Sequence, residues 1–322
     1  MWYAKIYFSE GREIFQYDSL GMQGVPDVQR ELPFLESLLS FQELDCAEVT
    51  PLLQCIAEDW SRFIAEDDRG ALESAMKKLG ELASVHIYFQ LLYVHCYYRQ
   101  TAMFIQNDRG SAEDAQMLDE LRQLPEQLPR YQQQIQRFFE LVLDVDSAGR
   151  APQAQAARNY TYDMPKDPGL FCFHPIPLSF EPVEPGQCSP VLYSSSIRDM
   201  IDYSLRSCVE RNITVRCCKN CGRWFPQTGR VSAEYCERPV PKGQQRCRDI
   251  GALKQWTLRQ AGNDAFKAYR KEYKRRFAWI KAGRITDQQF YDWSERARTE
   301  KDKCEQGLIS QKELETWLKE SK

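Results

Sequence analysis

Apolar and polar residues alternate at the start of the chain, and from about residue 28 the apolar positions recur at helical spacing. Residues 2–8 alternate and are rich in aromatic side chains, which predicts a β-strand. Turn-forming residues at 10–12 separate this stretch from a second apolar run at 13–17. The pattern therefore predicts a short N-terminal β-hairpin.

Between Val28 and Leu143 the apolar residues lie three and four positions apart, which is the spacing of one face of an α-helix. Gly70, residues 107–110 and Pro125 interrupt this pattern. The intervals between the interruptions predict a bundle of five helices, over residues 27–44, 48–67, 71–105, 111–122 and 126–146.

Helical periodicity is lost at residue 147, and eight prolines follow before residue 191. This composition predicts an irregular connector over residues 147–193. Periodicity returns in residues 194–210, which are expected to form a helix that leads into a cysteine-rich stretch. Beyond it, residues 249–282 lack proline and predict one or two helices, with a break at 262–264.

The C-terminal end contains a short internal repeat, in which a glycine is followed by a capping box and an apolar stripe. The two boxes are Thr286 with Gln289 and Ser310 with Glu313. In a capping box each side chain accepts a hydrogen bond from the backbone N–H of the other residue, which favours the start of a helix. Two short helices are therefore predicted, each beginning at its box.

The formal net charge of −3 hides a strong separation of charge along the chain. Residues 1–215 hold 18 basic and 32 acidic residues, a net charge of −14. Residues 216–284 hold 18 basic and 5 acidic residues, a net charge of +13. Because 322 residues are too many for one compact core, we expect two or three units, of which one is acidic and one is basic.

No stretch approaches the roughly 20 apolar residues of a membrane span, and residues 1–8 lack the basic and apolar parts of a secretion signal. We therefore expect a cytoplasmic protein with no membrane partner. In that reducing compartment, the twelve cysteines are expected to be thiols or metal ligands.

Four of the cysteines have the order and spacing of a metal site: Cys218, Cys221, Cys236 and Cys247. The Cys-x2-Cys step fits a knuckle turn, in which Gly222 supplies the unusual backbone angles. Cys217 competes with Cys218 as the first ligand. Four thiolates leave no open coordination position, so the prediction is a structural zinc ion in a treble-clef-like finger.

The cysteine motif resembles a known family. It combines Cys218-x2-Cys221-Gly222, the pairs Trp224-Phe225 and Tyr235-Cys236, and Cys247-Arg248 before a basic helix. This order is similar to the CGNR-type zinc fingers of bacterial proteins thought to bind DNA. Cys247 is followed here by Arg248-Asp249-Ile250-Gly251, and the spacer before it is longer. The C-terminal third also resembles an uncharacterised bacterial domain-of-unknown-function family (DUF6076-like), which implies a fold and a metal but no activity.

These elements predict a mainly α protein with a minor β component. Residues 1–146 are assigned to an acidic helical domain that begins with the short hairpin. Residues 147–193 form the proline-rich connector. Residues 194–322 form a module with the zinc finger, the basic helices and the two short C-terminal helices.

The basic segment suggests a nucleic-acid partner, with DNA as the first choice. Cations can neutralise phosphates, and aromatic residues interleaved with them can stack on exposed bases. The alternative is that the cations pair with the acidic N-terminal domain of the same chain, or that the protein is a scaffold in which zinc has only a structural role. That acidic domain is also a possible surface for a protein partner. The candidate nucleic-acid contacts are Arg248, Lys254, Arg259, Lys267, Arg270, Lys271, Lys274, Arg275 and Arg276.

Evidence for an enzyme is weak in the sequence. The chain has three histidines and carries neither a G-x-x-x-x-G-K nor a G-x-G-x-x-G phosphate-binding loop. A Cys172/His174 pair in the proline-rich region is the one candidate dyad, and no acid that would orient the histidine is evident. No catalytic residue is predicted, and an enzyme with its site in residues 147–190 remains a third alternative.

Overall fold

The computed structural model describes residues 4–20, 27–106, 110–146, 149–167, 169–227, 232–240 and 245–321. Within residues 252–261, the backbone is described throughout, but the side chains of 252, 254 and 258–261 are not. In this part of the chain the fold is mainly α with a minor β component, as predicted.

The helices and strands follow one another in a simple order. The strands are β1 (Ala4–Ser9), β2 (Arg12–Tyr17), β3 (Val28–Pro33), β4 (Leu178–Glu184), β5 (Gln187–Leu192), β6 (Val215–Cys217) and β7 (Trp224–Pro226). The α-helices are α1 (Glu36–Gln42), α2 (Cys46–Glu66), α3 (Arg69–Val85), α4 (Ile87–Gln106), α5 (Ala112–Phe138), α6 (Pro152–Arg158), α7 (Ile197–Glu210), α8 (Cys247–Ala261), α9 (Asp264–Lys281), α10 (Asp287–Glu305) and α11 (Gln311–Glu320). Single π-helical turns follow α5 and α6.

The predicted N-terminal hairpin is confirmed and belongs to a larger sheet. β1 and β2 pair antiparallel, from Ala4 opposite Tyr17 to Ser9 opposite Arg12. The sheet has five strands in the order β3-β2-β1-β5-β4. Two of these strands, β4 and β5, come from the proline-rich region. Pro182 is tolerated because it lies on β4, an edge strand, beside an irregularity in the pairing. Pro190 lies on β5 just before Val191 and Leu192, the two residues of that strand that pair with β1.

The first predicted helix, over residues 27–44, is wrong in its first half. Residues 28–33 form β3, which pairs in continuous register with β2. Helix α1 begins only at Glu36, after Leu35 takes a left-handed conformation with φ of 66°. Pairing with the edge of β2 therefore outweighs the helical spacing of the apolar residues in this segment.

Two further helix boundaries differ from the prediction. The single helix expected over 71–105 is broken at His86, whose backbone is extended (φ −150°, ψ 143°). The imidazole Nε2 of His86 lies 2.9 Å from the carbonyl oxygen of Ser37. Conversely, the helices expected over 111–122 and 126–146 are joined in α5, which continues through Pro125 and Pro129. Proline removes one backbone donor, and here packing of the surrounding apolar residues keeps the helix continuous.

The chain divides into two compact units. The first comprises Met1–Cys217 and Arg223–Ala233, and the second comprises Cys218–Gly222 and Glu234–Lys322. In the first unit, the sheet, helices α1 to α5 and helix α7 share one hydrophobic core. Trp60, Phe63, Tyr88 and Phe89 are fully buried in it.

The second unit has its own core, formed where α9, α10 and α11 pack together. Phe290 and Trp293 of α10 lie at its centre with Leu314 and Leu318 of α11. The two predicted capping boxes are confirmed, since both reciprocal hydrogen bonds are present at Thr286 and at Ser310. The repeat therefore encodes two helix starts, and the apolar stripe that follows each start supplies this core.

Arg276 of α9 is part of this second core. Its guanidinium carbon lies 4.4 Å from the centroid of the Trp293 ring, and only 5% of the residue is exposed. The Nη2 group donates to the carbonyl oxygens of Ser321 at 2.5 Å and Leu318 at 3.2 Å, while Nε donates to Glu272 at 3.2 Å. A buried cation with this many partners joins α9 to the end of α11.

Glu13 of β2 is a completely buried carboxyl group in the first unit. The backbone N–H of Ser37 donates to its Oε2 atom at 2.9 Å. Burial raises the pKa of Glu13 to about 7, with hydrogen bonds from Ser37 opposing the shift and the negative charge of Glu36 adding to it. The folded protein therefore holds a proton on Glu13 at pH values where an exposed glutamate is ionised.

We predict that Glu13 makes the first unit less stable as the pH rises from about 4.5 to about 7. In that window the folded state binds a proton that the unfolded chain has released, so the free energy of unfolding falls with pH. Glu13→Gln cannot ionise and should lose this dependence. Between about pH 4 and about pH 8, its stability relative to the wild type should rise by on the order of 3 kcal/mol.

Denaturant unfolding of both proteins across this range measures the effect. His86 acts in the opposite direction, because burial lowers its pKa to about 4. Its contribution is shared by the two proteins and cancels in their difference. A difference in stability that stays constant with pH would contradict the prediction.

Candidate metal centre and basic groove

A turn between β6 and β7 carries the first two cysteines of the predicted metal site. The strands pair antiparallel, with Cys217 opposite Trp224. Residues 218–222 connect them, and the N–H of Gly222 donates to the carbonyl oxygen of Cys218 at 2.8 Å. Gly222 has a φ of 73°, a conformation that a residue with a Cβ rarely adopts. The glycine therefore lets the chain turn tightly enough to place Cys218 and Cys221 side by side.

The other two cysteines lie where the chain approaches α8. Arg248 donates its N–H to the carbonyl oxygen of Cys236 at 3.1 Å, and Cys247 donates its own to Arg238 at 3.0 Å. These bonds hold the segment around Cys236 against the first turn of the helix. α8 begins at Cys247, two residues before the helical stretch that the sequence predicts from residue 249.

The four predicted cysteines lie together. The Sγ atoms of Cys218, Cys221, Cys236 and Cys247 are all within 4.8 Å of one another, and none of the four is in a disulfide. The Sγ atoms of Cys221 and Cys236 are 3.7 Å apart. Thiolates arranged tetrahedrally around a metal at about 2.3 Å are separated by about 3.8 Å. The four cysteines therefore can bind one metal ion.

Backbone and amide N–H groups point at the sulfur atoms. The N–H of Cys236 donates to Cys218 Sγ at 3.4 Å, and Nδ2 of Asn220 donates to Cys247 Sγ at 3.2 Å. Burial by itself raises the pKa of the Cys218 thiol, but hydrogen bonds from the backbone at Cys236, Cys221 and Asn220 outweigh it and lower the pKa to about 7. These donors favour the thiolate of Cys218, which is the form that binds metals. Burial and the neighbouring Cys218 raise the pKa of the Cys236 thiol, so that thiol is ionised only with a cation beside it.

Three of the four cysteines are buried and Cys221 is exposed. A set of four sulfur ligands fills a tetrahedral coordination sphere, so the arrangement suits a metal that holds the chain together and leaves no position for a substrate. Cys217, the alternative first ligand, lies on β6 outside this group.

Gly251 of α8 is a site residue whose role the sequence did not predict. A Cβ atom at this position would lie 2.2 Å from Cδ1 of Tyr235, far inside normal contact distance. Tyr235 directly precedes Cys236, so the missing side chain lets the cysteine segment approach the helix closely. The only sequence signal is a glycine inside a helical pattern, which is also common without such a contact.

A groove of about 600 Å³ lies between α8 and α9 in the second unit. Trp256 of α8 and Phe266 of α9 meet there with their rings at 89° and 5.4 Å apart. Four predicted nucleic-acid contacts lie beside these rings, and the cation of Arg270 is 5.9 Å from the centre of Phe266. The lining residues are Trp256, Thr257, Phe266, Lys267, Arg270, Lys271 and Lys274.

Three of the remaining predicted nucleic-acid contacts lie outside the groove. Arg248 is ion-paired with Glu237 at 2.5 Å, and Arg275 is ion-paired with Glu272 at 2.5 Å. Arg276 lies in the second core, as described above. Lys254 and Arg259 belong to α8, but their side chains are outside the described part of the structure. Of the seven predicted cations whose side chains are described, the structure therefore brings together four.

His174 has an acidic partner that the sequence did not reveal. Its Nε2 atom lies 2.7 Å from Oδ1 of Asp199, and its backbone N–H donates to Asp202 at 2.9 Å. Asp199 and Asp202 follow His174 by 25 and 28 residues, so only the tertiary fold shows this contact. The thiol of Cys172 lies 3.4 Å from the hydroxyl of Tyr160, and no hydrogen bond joins it to His174 within the described residues. The candidate Cys172/His174 dyad therefore lacks its central contact within the described residues.

The fold and the cysteine cluster define a mainly α protein with a candidate metal centre in its second unit. Residues 189–321 match the model of a family described as "Family of unknown function (DUF6076)". The match covers less than half of the chain and includes all four clustered cysteines. No curated protein and no solved structure gives a significant match to the chain. Among the described residues, no helix has the length and apolar content needed to cross a membrane.

We predict that Gly251→Ala destabilises the second unit, although alanine normally favours a helix by about 1 kcal/mol over glycine. The new methyl group must displace the Tyr235 ring, and overpacking of this kind costs about 1–3 kcal/mol. Thermal unfolding and metal content measure the effect. Gly262→Ala is the matched control, because a Cβ there meets nothing within 4 Å. Equal melting temperatures for wild type and Gly251→Ala would contradict the proposed close approach.

Proposed function

We propose that the four cysteines bind one structural Zn²⁺ ion and that the unit containing them binds nucleic acid, with DNA as the first candidate, through the groove between α8 and α9. Zinc is the metal most often held by four cysteines in proteins. The closed set of sulfur ligands favours a structural role over a catalytic one. In this proposal the metal fixes the start of α8, and the cations of α9 bind the ligand.

The observation that carries the proposal is the charge of the groove. Lys267, Arg270, Lys271 and Lys274 lie at positions i, i+3, i+4 and i+7 of α9 and therefore share one face of the helix. They extend over about 10 Å along the helix axis. No carboxylate is among the described residues that line the groove. A surface of this kind attracts phosphates.

The exposure of these cations and their lack of strong ion pairs among the described residues also favour an external ligand. Lys267 lies 3.0 Å from Asp264, an exposed pair at the start of the helix that contributes little to stability. Lys271 and Lys274 form no ion pair with any residue in the described part of the chain. Both lysines are exposed. Their charges are therefore available to a polyanion at little cost.

We predict that the double substitution Lys271→Glu/Lys274→Glu weakens nucleic-acid binding by tenfold or more. Each lost phosphate contact should also reduce the slope of log K against log salt by about 1, so a slope lower by about 2 is expected. Fluorescence anisotropy with a labelled oligonucleotide of mixed sequence, at two salt concentrations, measures both quantities. The matched control is Lys312→Glu, which changes an exposed lysine on α11 outside the groove.

Binding that is indifferent to salt and to the double substitution would contradict the proposal. Absence of binding by the wild-type protein with its metal bound would do the same. The scaffold alternative, in which the metal only shapes the second unit, would then be the better interpretation.

A further inference from the structure

We infer that the groove between α8 and α9 takes a single-stranded segment of nucleic acid, with an unpaired base stacked on Trp256. This inference rests on the proposed function and adds the form of the ligand to it. It depends on the aromatic rings of the groove, whereas the proposed function depends on the cations.

Trp256 exposes its large apolar indole ring to water, which is thermodynamically unfavourable unless a ligand covers the ring. Its exposed fraction is 45%, and it lies next to the cationic face of α9. In its near-perpendicular contact with Phe266, the edge of one ring meets a face of the other. Whichever ring supplies the edge, Phe266 covers at most one face of the indole. Among the described residues no second ring packs on Trp256, and its exposed surface can take a planar partner.

The chemistry of the groove selects an unpaired base over other planar groups. Phosphates pair with Lys267, Lys271 and Lys274, while the indole of Trp256 offers a surface for the attached base. A duplex keeps its bases stacked inside and presents phosphates and sugars on its outer surface. The Trp256 ring therefore stacks on a base most readily when the strand is unpaired. Aromatic side chains next to cationic grooves are the usual means of binding single strands.

The volume of the groove is consistent with this ligand. At about 600 Å³, it lies within the range of about 300–1,000 Å³ that is typical of small-ligand sites. That space suits one or two nucleotides. Stacking without base-edge contacts is tolerant of sequence, so weak sequence preference is expected.

The test compares a single-stranded oligonucleotide of about 20 nucleotides with the duplex of the same sequence, using the metal-loaded full chain at one salt concentration. DNA and RNA versions of the single strand are both measured, since stacking alone does not distinguish them. We expect the wild-type protein to bind the single strands at least tenfold more tightly than the duplex. Binding should also quench tryptophan fluorescence.

Substitutions of Trp256 measure the contribution of its ring to binding separately from that of the cations. Trp256→Ala should weaken single-strand binding by tenfold or more and leave duplex binding unchanged, while Trp256→Phe should retain most of the affinity because it keeps an aromatic face. Tyr291→Ala is the control, because Tyr291 is a 63% exposed aromatic residue of α10 outside the groove. It should bind as the wild type does.

The possible results of these binding measurements distinguish failure of the inference from failure of the proposed function. Equal or tighter binding of the duplex by the wild type would overturn the inference and leave the proposed function intact. Single-strand binding that is unchanged in Trp256→Ala would also overturn it. Failure of the wild type to bind any of the nucleic acids would overturn the proposed function as well. The comparison of wild-type affinities decides the question even if Trp256→Ala does not fold.

Discussion

Four thiol groups within 4.8 Å of one another can all be ionised only when a cation lies among them, because negative charges so close together repel strongly. The hydrogen bonds from Asn220 and from the backbone of Cys236 reduce this repulsion only in part. The second unit has no disulfide among its cysteines. A metal bound by the four thiolates would therefore be the main link between the turn at 218–222 and the start of α8.

The position of the proposed ligand groove follows from that link. α8 begins at a clustered cysteine, and Gly251 on its first turns lets Tyr235 pack against the helix. The side-chain amide of Gln255 donates to the carbonyl oxygen of Lys219 at 3.0 Å, which ties the helix to the cysteine turn a second time. Trp256 follows Gln255 in the chain and lines the groove.

On the other side of the groove, α9 is fixed to α10 and α11 by Arg276 and Trp293. The cysteine cluster and this small core therefore each hold one wall of the groove.

Short-range patterns were the features that the sequence predicted best. The four cysteines, the capping boxes at Thr286 and Ser310, and the hairpin of β1 and β2 each depend on residues close in sequence or on a fixed spacing. Features that depend on tertiary contacts were missed. Strand β3 forms because β2 offers an edge, and the break at His86 accompanies a contact with Ser37. Two further features could be found only from the tertiary structure, because sequence spacing gives no sign of them. These are the burial of Arg276 and the contact of His174 with Asp199.

The central claim is that one metal ion bound by Cys218, Cys221, Cys236 and Cys247 organises the second unit. Its most direct test is elemental analysis of the purified protein and of the four single Cys→Ser variants, with Cys217→Ser as the control. We expect about one zinc ion per chain in the wild type and in Cys217→Ser, and loss of metal together with a less stable second unit in each of the four variants. Wild-type protein that is folded without metal, or full retention of zinc by all four variants, would contradict the claim.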